Sequence, residues 1–161
     1  MTDKLPILHI LCGKIASGKS TLAGKLAAEP GTVLVSEDSW LGALFGPEMT
    51  SIQDYVTYSA RLRSVMESHV CALLVSGVSV VLDFPANTPN MRGWMKQIIT
   101  TTGCAHTLHF LNVPDQTCKI RLHERNASGL HPFDVSDEQF EQITRHFIPP
   151  IIDEGFEIRE Y

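Results

Sequence analysis

The sequence predicts an α/β fold with a mainly parallel sheet. Short apolar runs alternate along the chain with longer segments of helical periodicity, the pattern that βαβ units leave in a sequence. The run Ser79–Phe84 is apolar throughout except at Asp83, as suits a strand covered on both faces. A glycine-rich turn separates the first apolar run from the first helical segment.

Taken in order, Ile7–Cys12 reads as a buried strand that ends at glycine. Ser17–Ala28 carries Leu22, Leu26 and Ala27 at helical spacing, and Pro30-Gly31 stops it. Thr32–Val35 is a second strand. Ser39–Thr50, with Gly42, Gly46 and Pro47, reads as irregular. Ile52–Val75 is the longest helical pattern, with Tyr55, Tyr58, Leu62, Val65, His69 and Ala72 recurring every three or four residues before Gly77. Ser79–Phe84 is the third strand. Thr88-Pro89 opens a helix that Gly103 closes, with Met91, Trp94, Met95 and Ile98 on its apolar face. Thr107–Val113 is the fourth strand, and Asp115–Asn126 a helix with a basic face. Ser136 and Gln139 form a capping box, with Phe140, Ile143 and Phe147 as the stripe behind it and Pro149-Pro150 as the stop. Phe156–Ile158 is the fifth strand. Gly129–Pro132 is the best candidate for a mobile loop.

The 161 residues suit one domain, taken as 1–161, with one core. Apolar residues make up 43% and charged residues 19%, a globular balance. The net charge of −5, from 13 basic and 18 acidic side chains, argues against nucleic acid as the main partner, because a phosphate backbone calls for a basic face. No apolar run is long enough to span a bilayer, and cleaving a signal peptide would destroy the glycine-rich turn, so no membrane role is expected. Cys12, Cys71, Cys104 and Cys118 form no C-x-x-C pair and read as reduced thiols of a cytoplasmic protein.

The turn carries the strongest chemistry. Gly13-Lys14-Ile15-Ala16-Ser17-Gly18-Lys19-Ser20 matches G-x-x-x-x-G-K-[ST] without a gap, after a strand and before a helix. Glycine lets the backbone curl so that successive N–H groups point at phosphate oxygens, and the following helix adds its unpaired N–H groups and positive dipole end. Gly13, Lys14, Ala16, Ser17, Gly18, Lys19, Ser20 and Thr21 are therefore the expected nucleotide-binding residues. Lys19 is expected to reach the β- and γ-phosphates, and the Ser20 hydroxyl to bind Mg²⁺. Backbone contacts to phosphates are blind to the base, so ATP and GTP both fit.

Two acids end predicted strands. Asp83 is expected to hold Mg²⁺, directly or through water; otherwise it caps the next turn. Asp38, after Leu34-Val35-Ser36-Glu37, would face the phosphate loop across the crevice and accept or orient an incoming hydroxyl. The alternative is that Glu37 and Asp38 cap the following segment. Arg121 and Arg125, four apart, share a helix face and could straddle a phosphoryl group or stack on a base; on spacing alone a solvated face serves equally. Trp40, Phe45 and Tyr55 could line an acceptor pocket or pack in the core. His106 and His109 point to opposite faces of a strand, which speaks against a shared metal ion.

These residues together resemble the small P-loop kinases of the AAA-type ATPase-like "predicted kinase" group, with zeta-toxin, gluconate, chloramphenicol and polynucleotide 5′-kinases as distant relatives. The resemblance rests on Gly13–Leu22, Ser36-Glu37-Asp38, Val80-Val81-Leu82-Asp83, Arg121–Asn126 and the Phe147-Ile148-Pro149-Pro150 tail. It implies a three-layer P-loop NTPase fold with a five-stranded sheet in kinase-type order, the Asp83 strand beside the loop strand. It also implies Asp38 as the substrate-side acid or base, Arg121 and Arg125 on a closing lid around 115–133, and a substrate contact at Arg92. Asp38 is followed by Ser39-Trp40 rather than by a basic residue, which gives less support to a polynucleotide substrate.

The expected function is ATP- and Mg²⁺-dependent transfer of the γ-phosphate to a hydroxyl of a small molecule. Lys19, Asp38, Arg121 and Arg125 would be catalytic, Ser20 and Asp83 would hold the metal, and Asp38, Trp40 and Arg92 would lie on the substrate side. A nucleotide-dependent switch or ATPase module without an acceptor would share the loop but need no Asp38. A nucleic-acid 5′-hydroxyl kinase is the third reading.

Overall fold

A computed structural model describes residues 4–130 and 134–161. Five strands, β1 (Ile7–Gly13), β2 (Thr32–Ser36), β3 (Ser79–Asp83), β4 (Ala105–Leu111) and β5 (Ile158–Glu160), form one sheet in the order β2-β3-β1-β4-β5. Every adjacent pair is parallel. The Asp83 strand lies beside the loop strand, as expected for a kinase-type order. The described helices are α1 (Lys19–Ala27), α2 (Glu37–Phe45), α3 (Ile52–Val75), α4 (Pro89–Thr102), α5 (Asp115–Ser128) and α6 (Asp137–Thr144). The expected mobile loop Gly129–Pro132 and the end of the lid segment around 115–133 reach residues 131–133, outside the described residues.

Alternation along β1 decides the layering. Leu8, Ile10 and Cys12 bury against a core shared with Leu62, Met66 and Val70 of α3 and Met95 and Ile98 of α4. Leu11 faces the other way, toward Ala23 of α1 and Val81 of β3. Period-2 side chains on the strand thus meet helices on both sides, which is why the central strands are apolar almost without interruption. A third, smaller cluster joins Cys118 and Leu122 of α5 to Phe140 of α6, and Ile15 and Ala16 of the glycine-rich turn pack against it. That cluster couples α5 to the loop.

Several boundaries differ from expectation. Residues 39–50 are not irregular: α2 fills most of them. Ser36 Oγ accepts the Ser39 N–H at 3.3 Å, Glu37 and Asp38 sit in the positive first turn, and Leu41 is fully buried. Gly42 is carried inside the helix at the modest cost that glycine imposes there, about 1 kcal/mol. The capping box at Ser136 and Gln139 is present, but the stripe behind it is narrower than expected. Phe140 is buried, Ile143 is 40% exposed, and Phe147 lies beyond the helix end, packed on the main core. The fifth strand starts at Ile158, two residues after the expected position.

Candidate functional site

The parallel register brings the carboxyl ends of β1, β3 and β2 together. Ser36 pairs with Asp83, and Gly13 pairs with Leu111. The glycine-rich turn therefore leaves the sheet at the same edge where Asp83 ends and α2 begins, the crevice position of open α/β sheets.

The turn is a curled backbone cradle. Ala16 has φ of 59°, the single left-handed non-glycine residue among those described, and Gly18 has φ of 103° as it opens α1. Ala16 at positive φ is strained by about 1 kcal/mol, a cost that its packing against the α5–α6 cluster offsets. At Gly13 the constraint is steric: a Cβ there would sit 2.5 Å from Ser17 Oγ and 3.2 Å from the Leu111 carbonyl oxygen. Ser17 is buried, and its Oγ has no hydrogen-bond partner. A buried hydroxyl left unpaired costs about 1–3 kcal/mol, so it calls for a ligand.

Lys19 Nζ turns back and donates to the Gly13 carbonyl at 2.6 Å and the Lys14 carbonyl at 2.7 Å. Burial lowers its pKa, while Asp83 and Asp38 act in the opposite direction. Ser20 Oγ donates to Asp83 Oδ2 at 3.5 Å. Burial also raises the Asp83 pKa, opposed by Lys19 and reinforced by Asp38. A hydroxyl and a carboxylate this close form a hard oxygen pair of the kind that suits Mg²⁺, with phosphate and water completing the shell. No cluster of three or more His, Cys, Asp or Glu fit for a metal occurs among the described residues.

The charge of Asp38 acts on Lys19, Asp83 and Arg125, and Lys19 and Asp83 act on each other. The structure thus brings four of the sequence-predicted site residues into one electrostatic group. Arg125 Nε is buried without a hydrogen-bond partner, and burial lowers the pKa of its guanidinium. Arg121 is exposed and donates to the Ser17 carbonyl at 3.2 Å, which ties it to the loop, while Arg125 is half-buried and its charge meets that of Asp38. Thr21, Leu22, Lys25, Leu111, Arg121 and Tyr161 line an open pocket of about 470 Å³ beside Gly18. Lys14 is directed away from the cradle: its ammonium pairs with Asp115 at 2.6 Å and donates to the Val113 carbonyl at 3.2 Å. Its side chain fastens the loop to the start of α5, and only its backbone is left for a phosphate.

Arg92 does not meet the expectation of a substrate contact. It is fully buried. Its guanidinium pairs with Glu154 at 2.5 Å and donates to the carbonyls of Ala86 and Ile148 at 2.9 Å each and of Pro149 at 3.4 Å. Every face of the group is used internally, so none remains for a substrate. Trp40 is 41% exposed on α2, while Phe45 stacks on Tyr58 and Tyr55 donates to Glu37. Tyr55 and Phe45 are therefore packing residues, and Trp40 alone of the three stays open to an acceptor. Glu37 is buried, accepts from Tyr55 and from Ser59 at 2.9 Å, and has its pKa raised by burial.

Two features escaped the sequence reading. Asn87 donates to the Gly13 carbonyl at 2.9 Å and accepts the Gly13 N–H at 3.0 Å. His109 Nε2 meets His9 Nδ1 at 3.1 Å, and His109 Nδ1 meets the Tyr161 hydroxyl at 2.8 Å. Neither has a local signature, because each joins residues far apart in the chain. His106 and His109 do separate, as alternation requires: His106 Nε2 accepts the Glu157 N–H at 3.1 Å.

A family model described as an AAA domain matches residues 8–150. The chain belongs to that family. Its fold is that of the small P-loop kinases. A crystal structure of a "putative kinase" from Chloroflexus aurantiacus superposes with a TM-score of 0.78 at 21% identity, over 99% of this chain and 86% of that one. A chain of the Pnkp1/Rnl/Hen1 RNA repair complex matches at 26% identity and TM-score 0.66, over 90% of this chain but 45% of its own length. The APS kinase of Mycobacterium tuberculosis, solved with AMPPNP and APS, matches at 18% identity and TM-score 0.56, over 87% of this chain and 96% of that one. Among curated proteins none matches significantly. No described helix is long and apolar enough to cross a membrane.

Proposed function

We propose that this AAA-domain family member is an ATP-dependent phosphotransferase that moves the γ-phosphate to a hydroxyl of a small molecule. The observation that carries this reading is a complete phosphate loop whose Ser20 meets Asp83 at 3.5 Å, with Asp38 two residues beyond the Ser36 that pairs with Asp83 and its charge acting on Lys19, Asp83 and Arg125. A loop alone serves any P-loop nucleotide hydrolase or switch; Asp38, in the first turn of α2, adds a group for an acceptor.

In this reading the triphosphate lies in the cradle from Gly13 to Thr21, taking hydrogen bonds from loop N–H groups and from Ser17 Oγ. Lys19 releases the Gly13 and Lys14 carbonyls and turns its ammonium to the β- and γ-phosphates. Ser20 and Asp83 would hold Mg²⁺, which when bound would supply positive charge to the phosphates. Asp38 accepts a hydrogen bond from the acceptor hydroxyl, orients its oxygen in line with the γ-phosphorus and takes up its proton as the new O–P bond forms, while the γ-phosphorus bond to the β,γ-bridging oxygen breaks and ADP leaves. Arg121 and Arg125 act as the lid arginines, drawing α5 over the phosphates and excluding water that would compete as acceptor. The open pocket beside Gly18 takes the base, with ATP preferred as donor and GTP as the alternative. Trp40 borders the acceptor side. The whole chain acts as one domain, and the protein works in the cytoplasm.

The test is a screen of metabolite pools with Mg-ATP that scores ADP release and new phosphorylated masses. The reading expects a hydroxyl-bearing product 80 Da heavier in the presence of the wild type and absent with Lys19→Ala. ADP release at an equal rate with and without every pool would instead favour a nucleotide switch or ATPase module.

A further inference from the structure

We propose that Asn87 is a positioning residue for the phosphate loop, and that the buried Arg92 clasp exists to hold it in place. The inference rests on the proposed nucleotide binding and concerns a residue outside the loop motif.

Asn87 lies between β3 and α4, on the segment that follows Asp83. Its carboxamide makes two hydrogen bonds to one residue, accepting the Gly13 N–H at 3.0 Å and donating to the Gly13 carbonyl at 2.9 Å. A single side chain therefore fixes the peptide units on both sides of the residue where β1 turns into the cradle. Gly13 has no side chain with which to hold itself, and no room for one. The Gly13 carbonyl also receives Lys19 Nζ at 2.6 Å. When Lys19 turns toward phosphate, Asn87 is the partner that still satisfies that carbonyl, so the loop keeps its curl while the lysine moves. Without Asn87, departure of Lys19 would leave the carbonyl unpaired at the moment of binding.

The segment bearing Asn87 is itself gripped from three directions. The Ala86 N–H donates to the Leu11 carbonyl at 3.1 Å. Arg92 donates to the Ala86 carbonyl at 2.9 Å, and the Asn87 carbonyl accepts the Ile148 N–H at 2.9 Å. Arg92 also binds the Ile148 and Pro149 carbonyls, so the Phe147–Pro150 tail and the 84–88 segment are one unit behind the loop. This gives the tail a role in the site without any contact to a ligand.

The experiment measures affinity for ADP and Mg-ATP by calorimetry, and thermal stability without nucleotide, in wild type, Asn87→Ala, Asn87→Asp and Thr88→Ala. Asn87→Asp is nearly isosteric and keeps an acceptor for the Gly13 N–H but lacks the amide donor, so it serves if the alanine variant does not fold. Thr88→Ala removes a helix cap in the same segment, where Thr88 Oγ1 accepts the Met91 N–H at 3.2 Å, without touching Gly13. The expected result is affinity about tenfold weaker for both Asn87 variants and unchanged for Thr88→Ala, whatever the change in melting temperature. Folded Asn87 variants that bind within twofold of wild type would overturn the inference, as would an equal loss in Thr88→Ala. A wild type that binds neither nucleotide would take down the functional reading first, and this one with it.

Discussion

The two sides of the crevice are held in different ways. On the donor side, the loop is fixed by side chains from elsewhere, Asn87 on Gly13 and Arg121 on the Ser17 carbonyl, and by its own Lys14, which reaches Val113 and Asp115. On the acceptor side, β2 is an edge strand with Val33 and Leu34 each 40% exposed, and α2 presents Trp40 and Leu44 to solvent. Its main buried anchor is Glu37, bonded to Tyr55 and Ser59 of α3. In the proposed reading the donor is a triphosphate, whose geometry does not vary, and a preorganised cradle suits it. The side proposed for the acceptor is tied by one strand pairing, β2 on β3, and by Leu41 and Glu37 of α2. The loop is consequently the part of the site that sequence can read, and the acceptor the part it cannot name.

The largest effect should come from attacking the rigid side. Arg92→Ala removes a buried cation and orphans three carbonyls and Glu154, whose pKa the arginine lowers. Loss of one partner of such a buried pair costs about 3 kcal/mol or more, so the melting temperature should drop by roughly 10 °C. A drop of a degree or two would mean that the clasp is not what holds the donor side. Second comes Asp38→Asn, measured on the acceptor that the screen returns. Phosphoryl transfer should slow by about 10²-fold while nucleotide affinity stays within about twofold. Normal turnover would remove Asp38 from the mechanism and dissolve the division into donor and acceptor sides.

The smallest effect concerns the strands beneath the loop. Burial pushes the pKa of His109 down to about 4, helped by His9 and Arg159. Between its ordinary value, near 6.5, and about 4, the unfolded chain binds a proton that folded His109 refuses. Its contribution to stability is therefore complete above about pH 6.5 and is lost as the pH falls toward 4. Burial lowers His9 and His106 in the same direction, whereas the raised pKa values of Glu37 and Asp83 favour the folded state on acidification. Comparing wild type with His109→Gln isolates the one group. From pH 7 to 4.5 the variant should lose several degrees less in melting temperature than wild type. Parallel pH curves for the two would show that His109 carries no such penalty.

The elements that sequence reading recovered best are those with a strong local signal. The Ile52–Val75 helix was legible to the residue because its periodicity runs over many turns, and the Ser136–Gln139 capping box because it is a contact between near neighbours. Helix α2 was missed because Gly42, Gly46 and Pro47 outweighed Ser36 as a cap and Leu41, Leu44 and Phe45 as an apolar stripe. Arg92 was misplaced for a different reason. An arginine on a helix reads as exposed unless its partners are visible, and Glu154 lies 62 residues away.

What the sequence by itself determined is the local chemistry: a glycine-rich cradle between a strand and a helix, with a lysine and a hydroxyl at fixed offsets. Such a motif is legible because all its parts are set by one short stretch of backbone. Only the tertiary structure decided what stands around it. Parallel pairing put Ser36 opposite Asp83 and so carried Asp38 to the loop, and packing of the tail turned Arg92 inward and Asn87 onto Gly13. These contacts join residues separated by tens of positions, and they hold because buried carbonyls, amides and charges must find partners wherever the chain brings them.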